Sequence, residues 1–149
     1  MRNVMVRNTV LAAVLAVSLA GCLITAGCSS SDNDPDARLY SVWNLMEFVL
    51  DDGTVVTVDN ALKYTVEFRT DNTDTIRADC NSCSGSFTAD EDTLSFGPQA
   101  CTLAACGAGS FDAQFQAALG SVSKYNIDVS LFLEYAGGTM RLAPTPTLF

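Results

Sequence analysis

Short stretches in which apolar and polar residues alternate recur along most of the chain. In KYTVEFR, residues 63–69, the side chains of Tyr64, Val66 and Phe68 share one face and polar side chains take the other, which is the period of a half-buried strand. The turn-forming segments DDG, TDNTD, DED and GG separate this stretch from similar ones. The pattern therefore predicts antiparallel strands joined by tight turns, several of them as hairpins.

The acidic residues follow the same alternation. The segment TDNTD, residues 70–74, is predicted to be a turn that leads into the strand TIRAD, since Asp and Asn are ordinary turn formers. Glu47, Glu67 and Glu134, like the aspartates, fall at turn or solvent-face positions. We therefore expect these carboxylates to be solvated, and the pattern predicts no carboxylate pair for acid–base catalysis.

One segment, SFDAQFQAALG, has helical periodicity instead. Phe111, Phe115 and Leu119 recur at helical spacing, with Ser110 as the predicted N-cap and Gly120 as the predicted C-cap. We expect the phenylalanine side chains to pack on a sheet. Many antiparallel strands with one helix predict a mainly β fold, either a small antiparallel barrel or a strongly curved sheet, since closure removes exposed strand edges.

The first 21 residues are typical of a secretory signal peptide. Two arginines precede an apolar segment, residues 9–20, which is shorter than the roughly 20 residues that a membrane-spanning helix needs. The end of this segment, LAGC, resembles the lipobox of bacterial lipoproteins and predicts lipidation of Cys22. A second match, TAGC, makes Cys28 the alternative lipidation site.

The resemblance to lipoproteins divides the chain into three parts. Residues 1–21 are the signal peptide, residues 22–37 the lipidated N-terminus with a polar linker, and residues 38–149 the folded domain. In Gram-negative lipoproteins, aspartate directly after the lipidated cysteine favours retention at the inner membrane, and here that residue is Leu23. We therefore expect a lipid anchor in the outer membrane, with the domain in the periplasm.

Charge and composition exclude several functions. Removal of residues 1–21 takes two of the eight basic residues and none of the 17 acidic ones, so the net charge changes from −9 to −11. Such a surface repels nucleic acids. The chain has no histidine, which removes Ser-His-Asp and Cys-His catalysis and the commonest ligand of catalytic zinc. We expect no enzymatic activity, no cofactor and no metal.

Four cysteines in the domain form two groups, Cys80 and Cys83 in DCNSCSGSF and Cys101 and Cys106 in ACTLAAC. A zinc site is disfavoured, because the second spacing is wide and the chain is exported. A redox CxxC opens a helix in thioredoxin-like proteins, whereas this one lies between strand-like segments. An exported chain favours two structural disulfides.

Strand register ranks the three ways of pairing these cysteines. Facing residues of an antiparallel pair have a constant sum of residue numbers, and the turn near Glu91 sets this sum near 182. The nested pairs, Cys80 with Cys106 and Cys83 with Cys101, have sums of 186 and 184, whereas crossed pairs have sums of 181 and 189. Bridging within each group is the third possibility, but closure of a CxxC pair is strained outside a special backbone. Register therefore predicts the nested pairing.

The same region resembles a known family. In order along the chain, the matching elements are Trp43-x-Leu45, the Phe68 strand, Cys80-Asn81, Gly85-x-Phe87, Thr102-x-x-x-Cys106 and the helical segment 115–119. Together they resemble the META domain, also called HslJ-like, with Phe87 where the family has tyrosine. Cys83 and Cys101 are an added pair beside this pattern.

The resemblance implies a small antiparallel β-barrel-like domain in the bacterial envelope. It makes Asn81, Gly85 and Thr102 the motif residues, and for the polar side chains of Asn81 and Thr102 we expect a role in holding turns and backbone groups. The function expected is a non-enzymatic lipoprotein of envelope maintenance or stress tolerance. The alternative is a module that binds a small apolar ligand, a peptide or a protease.

Overall fold

The computed structural model describes residues 34–146, which form ten β-strands and one α-helix. Short 3₁₀ turns at Ala37–Leu39 and Ala61–Lys63 precede β1 and β3. The elements are β1 (Val42–Leu50), β2 (Val55–Thr57), β3 (Tyr64–Phe68), β4 (Thr73–Ala78), β5 (Asn81–Ala89), β6 (Leu94–Phe96), β7 (Ala100–Cys101), α1 (Asp112–Leu119), β8 (Lys124–Ile127), β9 (Leu131–Tyr135) and β10 (Gly138–Pro144).

The strands form one antiparallel sheet that curves into a nearly closed barrel. Its order is β6-β5-β4-β3-β1-β10-β9-β8, while β2 pairs with β1 and β7 pairs with β5. A bridge between Thr93 and Lys124 brings the two ends of this order together, and the Tyr125 N–H donates to the Asp92 carbonyl at 2.9 Å. The prediction of a mainly β, barrel-like fold with one helix is confirmed.

Side chains fill the interior of the barrel. The alternation predicted for β3 is present, because Tyr64, Val66 and Phe68 are buried. Leu133 of β9 lies opposite Met140 of β10, and both are buried. Among the largest fully buried side chains are Phe48, Phe68, Phe87, Phe115, Leu45, Leu131 and Leu142. The interior is therefore a packed core, as in other small barrels.

The helix α1 buries Phe115, Ala118 and Leu119 in this core. It begins one residue later than the sequence predicts, because Phe111 and not Ser110 occupies the N-cap position. The Ser110 hydroxyl still accepts the Asp112 N–H at 3.2 Å, so it satisfies one donor of the first turn.

The signal peptide and both candidate lipidation sites, Cys22 and Cys28, lie outside the described residues. Within residues 34–146, every helix is too short or too polar to span a bilayer. At the start of the domain, the Asp36 N–H donates to the Tyr125 hydroxyl at 2.9 Å. The chain therefore joins the barrel at the end where β8 finishes and β1 begins.

Candidate functional site

Two disulfides fasten the connection between β7 and α1 to strand β5. Cys83 and Cys101 face each other in the β5–β7 ladder and are bonded. Cys80, in the turn before β5, is bonded to Cys106 in the connection. This is the nested pairing that the strand register predicts. The loop of residues 102–111, here called the braced loop, is thereby held at the barrel end opposite the one where residue 36 joins the barrel.

Asn81 holds the same loop from inside. Its side chain is only 3% exposed, and its amide oxygen accepts the Ala104 N–H at 2.7 Å and the Thr102 hydroxyl at 3.1 Å. Its amide nitrogen donates to the Ala104 carbonyl at 3.0 Å and to the Asp112 carboxylate at 3.1 Å. One buried side chain thus joins β5, the braced loop and the first turn of α1.

Thr102 and Gly85 serve the same connection. The Thr102 hydroxyl accepts the Ser82 N–H at 3.0 Å, and the Thr102 N–H donates to the Ser82 carbonyl at 3.0 Å. Gly85 leaves room for the Gln99 side chain, because a Cβ added at residue 85 would lie only 2.6 Å from Cδ of Gln99. The three motif residues therefore position the chain between β6 and α1.

A surface cleft of about 290 Å³ lies between the braced loop and the turn before β3. The Tyr64 hydroxyl at its wall accepts the Phe111 N–H at 2.9 Å and lies 3.3 Å from the Ser110 hydroxyl. Cys80, Lys63 and Asp79 line the cleft as well. This cleft is the candidate binding site of the domain.

Two of the three charged side chains that line the cleft, Lys63 and Asp79 but not Asp59, form an ion pair. Lys63 Nζ lies 2.9 Å from Asp79 Oδ1, and the Asp79 N–H donates to the Lys63 carbonyl at 2.7 Å. The hydrogen bond from Lys63, with a smaller one from Ser110, lowers the pKa of Asp79, and the same pair raises the pKa of Lys63. Both groups are therefore charged near neutral pH.

Sequence reasoning missed a polar pair formed by the buried Asp74 and the partly buried Gln99. The segment predicted as the turn TDNTD ends two residues too late, because β4 begins at Thr73 and Asp74 is buried at 1% exposure. The expectation that every acidic side chain is solvated is therefore wrong for Asp74. The available signal was the alternation in β4, which places Asp74, Ile76 and Ala78 on the same face.

A second cavity, of about 220 Å³, lies between α1 and the sheet near this pair. Ile76, Cys83, Phe96 and Leu119 give it an apolar wall, and Gln99 and Gln116 contribute amides. Among residues 34–146, no three His, Cys, Asp or Glu side chains come together in a way that would hold a metal ion.

By its fold the protein is a small antiparallel β-barrel with one helix packed into the core, and a loop fastened by two disulfides leads into that helix. Residues 37–146 match the profile of the META domain. The chain belongs to the META domain family, and the resemblance found in the sequence is confirmed.

Solved structures share this fold. An NMR structure of a protein from Burkholderia xenovorans has a TM-score of 0.63 and 21% identity, over 72% of this chain and 83% of that one. A crystal structure of a DUF4847 family protein from Bacteroides vulgatus has a TM-score of 0.53 and 15% identity, over 70% of this chain and 92% of that one. Comparison with curated proteins gives no match.

Proposed function

We propose that this protein is an outer-membrane lipoprotein whose META domain works without enzymatic chemistry, in envelope maintenance or stress tolerance. The observation that carries the proposal is the pair of disulfides, Cys80–Cys106 and Cys83–Cys101. Disulfides persist in oxidising compartments and are rare in the cytosol. They support export, which the signal-peptide pattern of residues 1–21 predicts independently.

The position of the tether adds a second argument. The domain begins beside Tyr125, at the barrel end where the turn after β8 also lies. The cleft with Lys63 and Asp79 is at the other end, where β3 begins and β4 finishes. A lipid anchor before residue 34 would therefore attach at the end of the domain opposite the cleft, which leaves the cleft open to partners in the periplasm.

Anchoring is tested by Cys22→Ala, with Cys28→Ala as the matched control. We expect Cys22→Ala to move the protein from the membrane fraction to the soluble fraction and to abolish the acyl mass, while Cys28→Ala stays acylated. Intact mass of the membrane-extracted protein reports both the mature N-terminus and the acyl chains. Membrane association that survives both substitutions without acyl mass would refute the anchor.

The envelope role has its own test. We expect deletion of the gene to increase sensitivity to detergent or to another envelope stress, and we expect the wild-type gene to restore resistance. The Cys22→Ala variant should restore resistance poorly, because its domain is no longer held at the membrane. Full rescue by that variant would mean that the role does not depend on anchoring.

The cleft favours a second candidate function, binding of a peptide or protein partner. Leu62, 64% exposed, precedes Lys63 at the rim of the cleft, and Leu103, 94% exposed, lies on the braced loop. Leu62 therefore supplies exposed apolar surface next to the cleft, and Leu103 supplies it outside the cleft lining, elsewhere on the braced loop. Crosslinking in intact cells tests this candidate, since Leu62→Ser with Leu103→Ser should remove a specific adduct that Val129→Ser, exposed at the tether end, leaves unchanged.

A further inference from the structure

The side chains of Asp74 and Gln99 meet inside the barrel beside Gly85, where the absence of a side chain leaves space for Gln99. Asp74 of β4 lies opposite Phe68 of β3 and Gly85 of β5. Gln99, in the connection between β6 and β7, crosses the space above Gly85, and its Nε2 donates to Asp74 Oδ1 at 3.1 Å and more weakly to the Gly97 carbonyl at 3.4 Å. One hydrogen bond therefore joins the two side chains directly.

The remaining oxygen of each side chain has no such partner. Asp74 Oδ2 and Gln99 Oε1 are buried away from solvent, and neither has a hydrogen-bond partner among the described residues. Both atoms are acceptors when the carboxyl group is ionised, and buried acceptors without a donor are costly. A single proton on Asp74 changes this arrangement, because a carboxylic acid and a primary amide are complementary and form two parallel hydrogen bonds.

We propose that the folded domain holds a proton on Asp74 Oδ2, which donates to Gln99 Oε1, and that release of this proton at higher pH loosens the brace between β4 and the chain before β7. The proton satisfies both buried oxygens without the space that a water molecule or a cation would need. Asp74 and Gln99 are then a pH-sensitive brace beside the apolar cavity under α1.

The surroundings of Asp74 favour its neutral form. Burial raises the pKa of its carboxyl group, against the hydrogen bond from Gln99 and the positive charge of Arg69, which both lower it. Arg69 directly follows β3 and forms an ion pair with Glu67 on the outer face, with Arg69 Nη2 2.9 Å from Glu67 Oε2.

The other ionisable side chains on the elements around Asp74 lie far from its carboxyl group, and the cysteines there are held in disulfides. Strands β5 and β7 contribute only the disulfide-bonded Cys83 and Cys101, and β6 contributes none. Tyr64 is at the far end of β3, and Asp112 of α1 is bonded to Asn81 at the far end of β5. Arg69 is therefore the one charged group, among the described residues, that acts appreciably on the carboxyl.

The sign of the pH effect follows from the raised pKa. A carboxyl group whose pKa is higher in the folded state than in the unfolded state stabilises the fold fully below the unfolded value, near 3.9. This contribution is lost as the pH rises through the folded-state value. Each unit of difference between the two pKa values corresponds to a factor of about ten in the folding equilibrium constant.

Asp74→Asn tests the brace, since asparagine keeps the shape and supplies a permanent N–H for Gln99 Oε1. In the full-length protein with both disulfides formed, we expect this variant and the wild type to have similar folding equilibrium constants near pH 3. As the pH rises to 8, the folding equilibrium constant of the variant should gain over that of the wild type, by about tenfold for each unit by which folding raises the pKa of Asp74. Asp34→Asn, which removes the same charge from an exposed position, controls for net charge.

The wild type supplies an independent measurement that needs no variant. The carboxyl ¹³C shift of Asp74, followed by NMR against pH, should titrate above the ordinary value of about 3.9. Titration at or below that value would overturn the proposal, because an ionised carboxylate needs a trapped water or cation instead. An Asp74→Asn variant that is destabilised equally at every pH, or that never differs from the wild type, would overturn it too.

Discussion

Replacement of Asn81 by alanine tests how the braced loop is held. The substitution removes four hydrogen bonds to oxygen or nitrogen, two with the Ala104 backbone, one with Thr102 and one with Asp112, and a longer contact of the amide nitrogen with Cys106 Sγ at 3.5 Å. A typical intramolecular hydrogen bond contributes about 1 kcal/mol, so the four together contribute about 4 kcal/mol. Ala104 and Thr102 are exposed, and water replaces part of what they lose. We therefore expect the free energy of unfolding to fall by about 2–3 kcal/mol.

Chemical denaturation with both disulfides intact measures this change, since the unfolded states of wild type and variant then carry the same cross-links. For a domain of this size, the loss corresponds to a melting temperature lower by about 10 °C. Asn44→Ala is the matched control, because Asn44 is also a buried strand asparagine, at 5% exposure, and its side chain makes one hydrogen bond, to the Thr145 hydroxyl at 2.8 Å.

The control should lose about 1 kcal/mol. An Asn81→Ala variant that loses no more than Asn44→Ala would refute the assignment of Asn81 as the residue that holds the loop. A second measurement locates the effect. Amide hydrogen exchange should increase selectively in residues 102–112 of the Asn81 variant, because the loop opens locally before the barrel unfolds.

Two further predictions concern the same connection. Gly85→Ala should destabilise the domain by about 1–3 kcal/mol in chemical denaturation, because the added Cβ displaces the Gln99 side chain. The second substitution Gln99→Ala should partly restore the stability of this variant. Gly107→Ala is the control and should be nearly neutral, because there is open space around its added Cβ. Joint replacement of Cys80 and Cys106 by serine should lower stability by about 3 kcal/mol, and an unchanged denaturation midpoint would contradict the role of this disulfide as a brace.

Local periodicity was sufficient to predict most of the barrel. The alternation of Tyr64, Val66 and Phe68 reflects burial of one strand face, and this burial is decided within a few residues of sequence. The cysteine pairing depends on a register that one turn sets, and Cys83 faces Cys101 in the β5–β7 ladder. Turn position and strand period are both local properties, so both can be predicted from a few neighbouring residues.

The polar pairs could not be predicted in the same way. Asp74 lies in a segment whose composition is that of a turn, and its partner Gln99 reaches it from a connection two strands away in the sheet. Lys63 and Asp79 meet because β3 and β4 are paired, so that the chain before one lies beside the chain after the other. Such contacts are set by tertiary packing, and no sequence period encodes them.

The positions of the motif residues separate architecture from function in this domain. Asn81, Gly85 and Thr102 all bond to, or leave space for, the chain between β6 and α1. They fix where this connection runs, and none of them directs a polar group outward into the cleft. Functional differences within such a scaffold arise in the loops that it positions. The exposed tip at Leu103 and the cleft wall at residues 107–111 are therefore where a partner specific to this protein would be selected.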